Sequence, residues 1–541
     1  MRTLIFVAIL FLSPRIFAYT GEVLSSFNTP SDYPSGLTFD GKNLWLSDFK
    51  TDKIYKLDSQ GKVLKTIESP AYWPTGLTWD GEYLWCSDVK GLIPQGDEYH
   101  RGKIYKIDPA DGRIVHTVDA PVSSPVSLAW DGKYLWCIDD IADKLIQFDP
   151  NDGTTIREFL TPSTNAQGIT FDGKYLWISD RGRDEIYMVE PATGSVILIT
   201  KAPGPYTRDL AFDGKYLWNI DFENRKIYKL IARDTVKFIR SGEYVSHMVY
   251  DHVITNFGPG KILTADVHIA LPVNRVNQKI TSGFTSQPGY EVFTDNWGQK
   301  TAHFTYKNIA PGEKRESRVE YDFTTYNVTY FIHPENVGGE DEIPAGIKSL
   351  YLADNAKYRI TDTVITKAVK AAVGFEKNIY WKMRKIFNYL IANMYYERVG
   401  GWNTAPTVLA RGNGSCSEYS FVFIAMCRAA GIPARYVGSV AQRGDDRSID
   451  DVFHRWVEVY LPRYGWIPVD PSGGDRKYPA ERARHIGHLS NRFVITTQSG
   501  GGSTSLGWNY NSDQHYTTDA KTNVAVDYWG EMDNAAKKTG K

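Results

Sequence analysis

Between residues 36 and 221 one pattern recurs five times: a short apolar run, an Asp-Gly pair, a second apolar run holding a Trp, and a closing Asp. The copies are GLTFDGKNLWLSD (36–48), GLTWDGEYLWCSD (76–88), SLAWDGKYLWCID (127–139), GITFDGKYLWISD (168–180) and DLAFDGKYLWNID (209–221). The repeated Trp are 45, 85, 136, 177 and 218, spaced by 40, 51, 41 and 41 residues. Asp-Gly between alternating runs predicts a hairpin, so each copy reads strand, turn, strand. A third strand follows, as in KIYKLD (53–58) and KIYKID (103–108). A fourth follows four of the copies, as in GKVLKTI (61–67) and GRIVHTV (112–118).

Four strands at a period near 41 residues resemble a β-propeller blade. The missing fourth strand is found at the N-terminus as GEVLSSF (21–27), so five blades would close without an open edge. TVKFIRS (235–241) is the alternative closing strand. The repeated Asp48, Asp88, Asp139, Asp180 and Asp221 are expected to cap strand ends, with cation binding in a channel as the rival. Cys86 and Cys137 share one repeat position and read as buried, unbonded residues. The spacing of 51 marks an inserted loop at 90–101.

From 235 to 340 the repeat gives way to plain alternation, as in Val267, Ile269, Leu271 and Val319, Tyr321, Phe323. With turns at 258–260, 287–289 and 310–312, this predicts a small β-sandwich. It shows no catalytic constellation, and His252 and His268 read as strand-surface residues. From about 345 the period becomes helical: Ile379, Met383, Ile386, Leu390 and Met394 form one face.

Chemistry concentrates in GNGSCSEYSFVFIAMCRAAGIPARYVGSV (412–440). Ser415 and Glu418 form a capping box, which puts Cys416 at the first helical position and ends the helix near Ala430, before Gly431 and Pro433. A helix N-terminus favours a thiolate. Cys427, mid-helix among apolar residues, reads as core. In DVFHRWVEVYLPRYGWIPVDPSGG (451–474) two strands flank a turn at Leu461-Pro462-Arg463-Tyr464. A turn centred there brings His454 opposite Asp470 to within one residue. That supplies a base and the group that orients it.

Gly-x-Gly-x-Cys-x-Glu, then Arg-Ala-Ala-Gly-Ile-Pro-Ala-Arg, His-x-Trp-x-Glu-Val and Gly-Trp-x-x-Val-Asp-Pro resemble the transglutaminase-like superfamily over about 345–500. The resemblance implies an α+β core related to papain-like cysteine proteases. It implies Cys416 as nucleophile, His454 as general base and Asp470 as orienter. The Cys416 backbone N–H would be one oxyanion donor and Trp402 a candidate for the second. The reaction would be acyl transfer through a thioester, resolved by water in a protease or amidase or by an amine in a cross-linking transglutaminase. Hydrolysis is the expected outcome; an inert core in a surface binding protein is the non-enzymatic alternative. No cofactor and no metal is expected.

Composition sets the frame for these parts. The 541 residues carry a net charge of −1, which argues against nucleic-acid binding by bulk charge. Four Cys are too few for a disulfide scaffold. Leu4–Leu12 has the length of a signal-peptide core and is too short to span a bilayer. The chain is therefore expected to be secreted or periplasmic, with no stable membrane span after cleavage. The expected organisation is a signal peptide (1–18), a β-propeller (19–234), a β-sandwich (235–340), a transglutaminase-like catalytic domain (341–500) and a C-terminal extension (501–541), part of which is expected to pack back on the core through Trp508, Tyr510, Tyr528 and Trp529, with a disordered end. The expected substrate is a protein, peptide or peptidoglycan-like polymer, with the propeller as binding module.

Overall fold

The computed structural model describes residues 18–71, 73–89, 102–398 and 402–534. The leader but for its last residue, the insertion at 90–101 and the end of the tail lie outside the described residues.

The repeats form five four-stranded antiparallel sheets. One is Pro34–Phe39, Leu44–Asp48, Lys53–Leu57 and Val63–Glu68. Another joins Thr207–Phe212, Tyr216–Asp221 and Lys226–Ile231 to the N-terminal strand Val23–Asn28, with Phe27 opposite Ile227. The N-terminal strand thus completes the last blade, while the 235–241 run leads into a different strand, Phe238–Pro259. The five inner strands abut in a closed cycle.

One carboxylate organises each repeat. Asp40 Oδ1 accepts the N–H groups of Lys42 (2.9 Å) and Asn43 (2.7 Å), shaping the turn at Gly41, whose φ is +89°. Its Oδ2 accepts the indole N–H of the buried Trp45 at 2.8 Å. The same indole bond recurs in the other four blades at 2.8–2.9 Å. The second repeated Asp caps the strand end. Asp48 accepts from the N–H groups of Lys50, Thr51 and Tyr33 at 2.8–3.1 Å. Cys86 and Cys137 are buried and unbonded.

At the axis the inner strands approach too closely for ordinary side chains. A Cβ on Gly76 would lie 2.4 Å from Ser127 Cα, and one on Gly168 2.4 Å from Asp209 Cα. Asp209 fills the centre. It accepts the N–H groups of Leu37 (2.8 Å), Leu210 (2.9 Å) and Ile169 (3.3 Å) and the Ser127 hydroxyl (2.6 Å), donors from four blades.

Phe238–Pro259, Lys314–Tyr330 and Ile262–Ala270, Lys300–Ile309 anchor the two sheets of the sandwich. The C-terminal extension, expected to pack back on the core, supplies strands to both. Thr522–Asn534 pairs with Phe238–Pro259, and Ser512–Thr518 with Ile262–Ala270. This covers the two histidines read as surface residues. His252 is fully buried, bonded through Nδ1 to Ser512 Oγ at 2.9 Å and stacked on Tyr528, and burial lowers it to about 4. His268 is also buried.

In the region that follows, the helix Cys416–Ala429 lies on the strand His454–Leu461, with the helices Thr363–Val373, Ile379–Asn393 and Ala405–Arg411 around it. The sheet runs Gly465–Val469, His454–Leu461, Ala434–Ala441, Phe493–Ser499. Buried Glu458 on this sheet pairs with Arg435 (2.8 Å) and with Arg275 from the sandwich. Among the described residues no helix is long and apolar enough to cross a membrane.

Asp209 makes the propeller sensitive to alkali. Burial is the larger influence and pushes its carboxyl up to about 8, against the donors that pull it down. An acid with a raised folded pKa holds its proton more tightly folded than unfolded. Its stabilising contribution is complete below the unfolded value of about 3.9 and drains away as pH rises through the folded value. Thermal melts are expected to show wild-type protein losing ground to Asp209→Asn between pH 5 and 8.5. Parallel curves for the two would contradict this.

Candidate active site

The helix that carries Cys416 starts where the capping box places it. Ser415 is the N-cap, and the fully buried Glu418 carboxylate accepts the Ser415 N–H at 3.4 Å. Glu418 also accepts the Asn403 N–H (3.0 Å) and the Arg411 guanidinium (2.9 Å), so one acid fastens the approach loop to the helix start. The strand pair Tyr395–Tyr396 and Asn413–Gly414 forms a lip just before Cys416, with Tyr395 57% and Tyr396 46% exposed.

His454 opens its strand, and its Nε2 bonds Asp470 Oδ2 at 2.9 Å. That leaves Nδ1 free of Asp470, and the Cys416 thiol is close enough to His454 for each to shift the other's ionisation. Asp470 Oδ1 accepts from the Ser472 hydroxyl (2.7 Å) and the N–H groups of Ser472 (3.1 Å) and Gly473 (3.3 Å). The hairpin differs by one residue from the sequence expectation. Leu461 faces Gly465 across a three-residue turn, with Arg463 at φ 71°. Pairing ends at Val457 opposite Val469, so Asp470 lies just past its strand and reaches His454 from there.

The electrostatics run along this line. Burial would raise the Cys416 thiol. His454, by hydrogen bond and charge, and Arg455, by its backbone N–H and its guanidinium, overcome that and hold it below its ordinary value. Burial works against a charged His454 too, but Asp470 and then Cys416 raise it well above the usual imidazole range. Asp470 is lowered to about 2, with His454 the main influence opposing its burial.

Three further side chains join the site, and the sequence gives a role there to none of them. The Arg455 side chain is fully buried, donates to Trp508 O (2.5 Å), and lies over the rings of Tyr436 and Tyr510 (4.3 Å each), Trp402 (5.0 Å) and Phe421 (5.4 Å). Tyr510, from the C-terminal region, brings its hydroxyl within reach of Cys416 and Ser417. It fits because residue 438 is glycine: a Cβ there would lie 2.4 Å from Tyr510 Cβ. His485 completes the group, with Nδ1 3.9 Å from Asp470 Oδ2. Trp402 stacks on Tyr510 at 6.2 Å between centroids. Its indole makes no hydrogen bond to Cys416 among the described residues.

Backbone strain gathers at this site. Trp402 (φ 38°), Phe453 (φ 59°) and Asn511 (φ 70°) all take left-handed conformations, and the last two adjoin His454 and Tyr510. Phe453 is held by Asp450, which accepts its N–H at 3.1 Å, and by stacking on Tyr250 and Tyr528 of the sandwich. Among the described residues no group of three or more His, Cys, Asp or Glu is placed to hold a metal ion.

Residues 366–471 match the family model described as Transglutaminase-like superfamily. An uncharacterized protein of Haemophilus influenzae is 25% identical over 267 residues, 44% of this chain and 71% of that one. The uncharacterized protein YebA of Bacillus subtilis is 38% identical over 135 residues, 21% of this chain; the chain spans only 18% of that relative's length. Among solved structures, a Cytophaga hutchinsonii protein described as a candidate cysteine protease aligns at 16% identity over 54% of this chain and 92% of that one, TM-score 0.38. Virginiamycin B lyase from Staphylococcus aureus aligns at 22% identity over 38% of this chain and 68% of that one, TM-score 0.25. The stretch from 366 to 471, which holds Cys416, His454 and Asp470, is thus a domain of the transglutaminase-like superfamily, joined in this chain to a five-bladed β-propeller and a β-sandwich.

Proposed function

We propose that this protein is a secreted or periplasmic cysteine hydrolase that cleaves amide or peptide bonds through a thioester on Cys416. The observation that carries this is the arrangement of Cys416 at a helix start beside His454, whose Nε2 bonds Asp470 Oδ2 at 2.9 Å, an order of groups that lowers the thiol. In this reading the Cys416 thiolate attacks the carbonyl carbon and the carbonyl π pair moves to oxygen. His454, protonated at the start, gives its proton to the departing amine as the C–N bond breaks. The neutral imidazole then takes a proton from water, whose oxygen attacks the thioester, and the carboxylic acid leaves as the thiolate re-forms. Asp470 keeps the ring oriented and supports its positive charge.

The oxyanion would be met by the Cys416 backbone N–H and, as second donor, the Tyr510 hydroxyl. Tyr510 reaches the sulfur, whereas Trp402 reaches Tyr510 and backs its ring. Water is favoured over a lysine amine as acceptor because Cys416 is only half-buried beside an exposed lip. The propeller is read as the module that grips a protein, peptide or peptidoglycan-like substrate.

Cys416→Ala is expected to abolish amine release from a fluorogenic casein digest assay; incorporation of dansylcadaverine without hydrolysis would overturn the hydrolytic reading. Tyr510→Phe is expected to lower kcat by roughly 10²–10³-fold with little change in KM, the loss typical of one oxyanion donor. The pH profile of kcat/KM should be bell-shaped. Its acid limb should fall below the free-thiol value of about 8.5 and its alkaline limb well above the free-imidazole value of about 6.5. Asp470→Asn should draw the alkaline limb down.

A further inference from the structure

The repeat allows what the blade fold requires to be separated from what it merely carries. Two positions in each blade meet at one face of the ring: the residue just before the inner strand and the residue just after the capping Asp. They are joined by a backbone bond, as in Phe49 N–H to Tyr33 O (3.2 Å), Arg181 N–H to Asn165 O (3.2 Å) and Phe222 N–H to Tyr206 O (2.9 Å). Asn165 with Arg181 shows that the blade closes without an aromatic there. Ser124 and Asp140 occupy the same two positions in the preceding blade. Yet the three adjoining blades carry Tyr206 and Phe222, Tyr33 and Phe49, and Trp73.

These half-buried rings form one run. Phe49 stacks on Trp73 (5.0 Å, 28°) and on Phe222 (6.2 Å, 22°), and Phe222 meets Tyr206 at 5.3 Å. Two cations flank it. Arg208 projects from an inner strand beside the axial Asp209, lies 6.0 Å from the Phe49 centroid and donates to Gln167 Oε1 at 3.2 Å. Arg181 lies over Tyr206 and donates to its hydroxyl at 2.9 Å. Among the described residues no acidic side chain comes within 4 Å of either guanidinium. Burial is the larger influence on Arg208 and lowers its pKa, against Tyr206, Asp209 and Asp140, which pull it up.

We propose that this mouth of the ring binds an acidic peptide segment, its carboxylate on Arg208 and Arg181 and a neighbouring aromatic or aliphatic side chain against the rings. Guanidinium groups beside apolar rings suit a carboxylate with an apolar neighbour. The site deepens the reading of the propeller as the substrate-gripping module by giving it a ligand class.

The test uses the full chain carrying Cys416→Ala, so that cleavage cannot consume the probe and a failed hydrolase reading leaves the binding result intact. Fluorescein-labelled (Glu-Phe)4 is titrated by anisotropy, with (Lys-Phe)4 and (Glu-Ala)4 as comparisons and polygalacturonate as an acidic glycan competitor. The site variants are Arg208→Gln and Phe49→Asp, each placing a residue that another blade already uses at that position (Gln167, Asp140); equal melting temperatures confirm folding. The expected result is saturable binding of (Glu-Phe)4, weakened at least about tenfold by either variant. (Glu-Ala)4 should bind more weakly and (Lys-Phe)4 not at all. The proposal is overturned if (Glu-Phe)4 does not saturate, if it binds Arg208→Gln as well as the parent, or if polygalacturonate occupies the site at lower concentration than the peptide.

Discussion

A thiol at a protein surface is mostly protonated at neutral pH, and burying it makes ionisation harder still. Everything in the catalytic region bears on reversing that. His454 stands against Cys416 and Asp470 stands behind His454, so each burial penalty is met by the charge of the next group along. Arg455 adds a backbone N–H and a caged guanidinium on the far side. The thiol is thus flanked by two cationic groups and capped by the start of a helix, and together these offset the cost of ionising it.

Holding those groups takes more of the chain than the domain that bears them. Phe453 turns the backbone into His454 from a left-handed conformation, and its ring is packed among sandwich residues. Tyr510 enters from the segment that goes on to form strands in both sandwich sheets. Asn511, beside it, is tied down by Ser439 O (3.2 Å) and the Thr497 hydroxyl (3.0 Å). The sandwich and the C-terminal strands therefore act as a clamp on two sides of the thiol. Strain in the two residues that adjoin His454 and Tyr510 is sustained by this packing rather than by local preference.

The parts legible in the sequence are those that local rules encode. Asp-Gly turns, a repeat that counts its own strands and a capping box around Cys416 all depend on neighbours a few residues away, and they lead directly to the ring and the helix that starts at Cys416. The His454–Asp470 contact was legible as a hairpin, but the turn holds three residues rather than four because Arg463 adopts a left-handed conformation, a choice no pattern of apolar residues announces. Arg455 reads as an ordinary strand residue; only the rings that gather around it from 402, 421, 436 and 510 give it meaning. Trp508, Tyr510, Tyr528 and Trp529 mark the tail as packing back on the core, and what they leave open is which sheets it joins. Val524, Val526, Tyr528 and Met532 alternate as a strand should, and that signal, given its weight, would have placed the tail in a sheet and His252 beneath it.

The central claim, a thiolate stabilised by its imidazolium neighbour, is tested most directly by the rate of Cys416 alkylation by iodoacetamide as a function of pH, read by mass spectrometry on wild-type protein and on His454→Ala. The account predicts an inflection well below the free-thiol value of about 8.5 in the wild type, moving upward in the variant. An inflection near 8.5 in both, or no labelling of the folded protein, would contradict it.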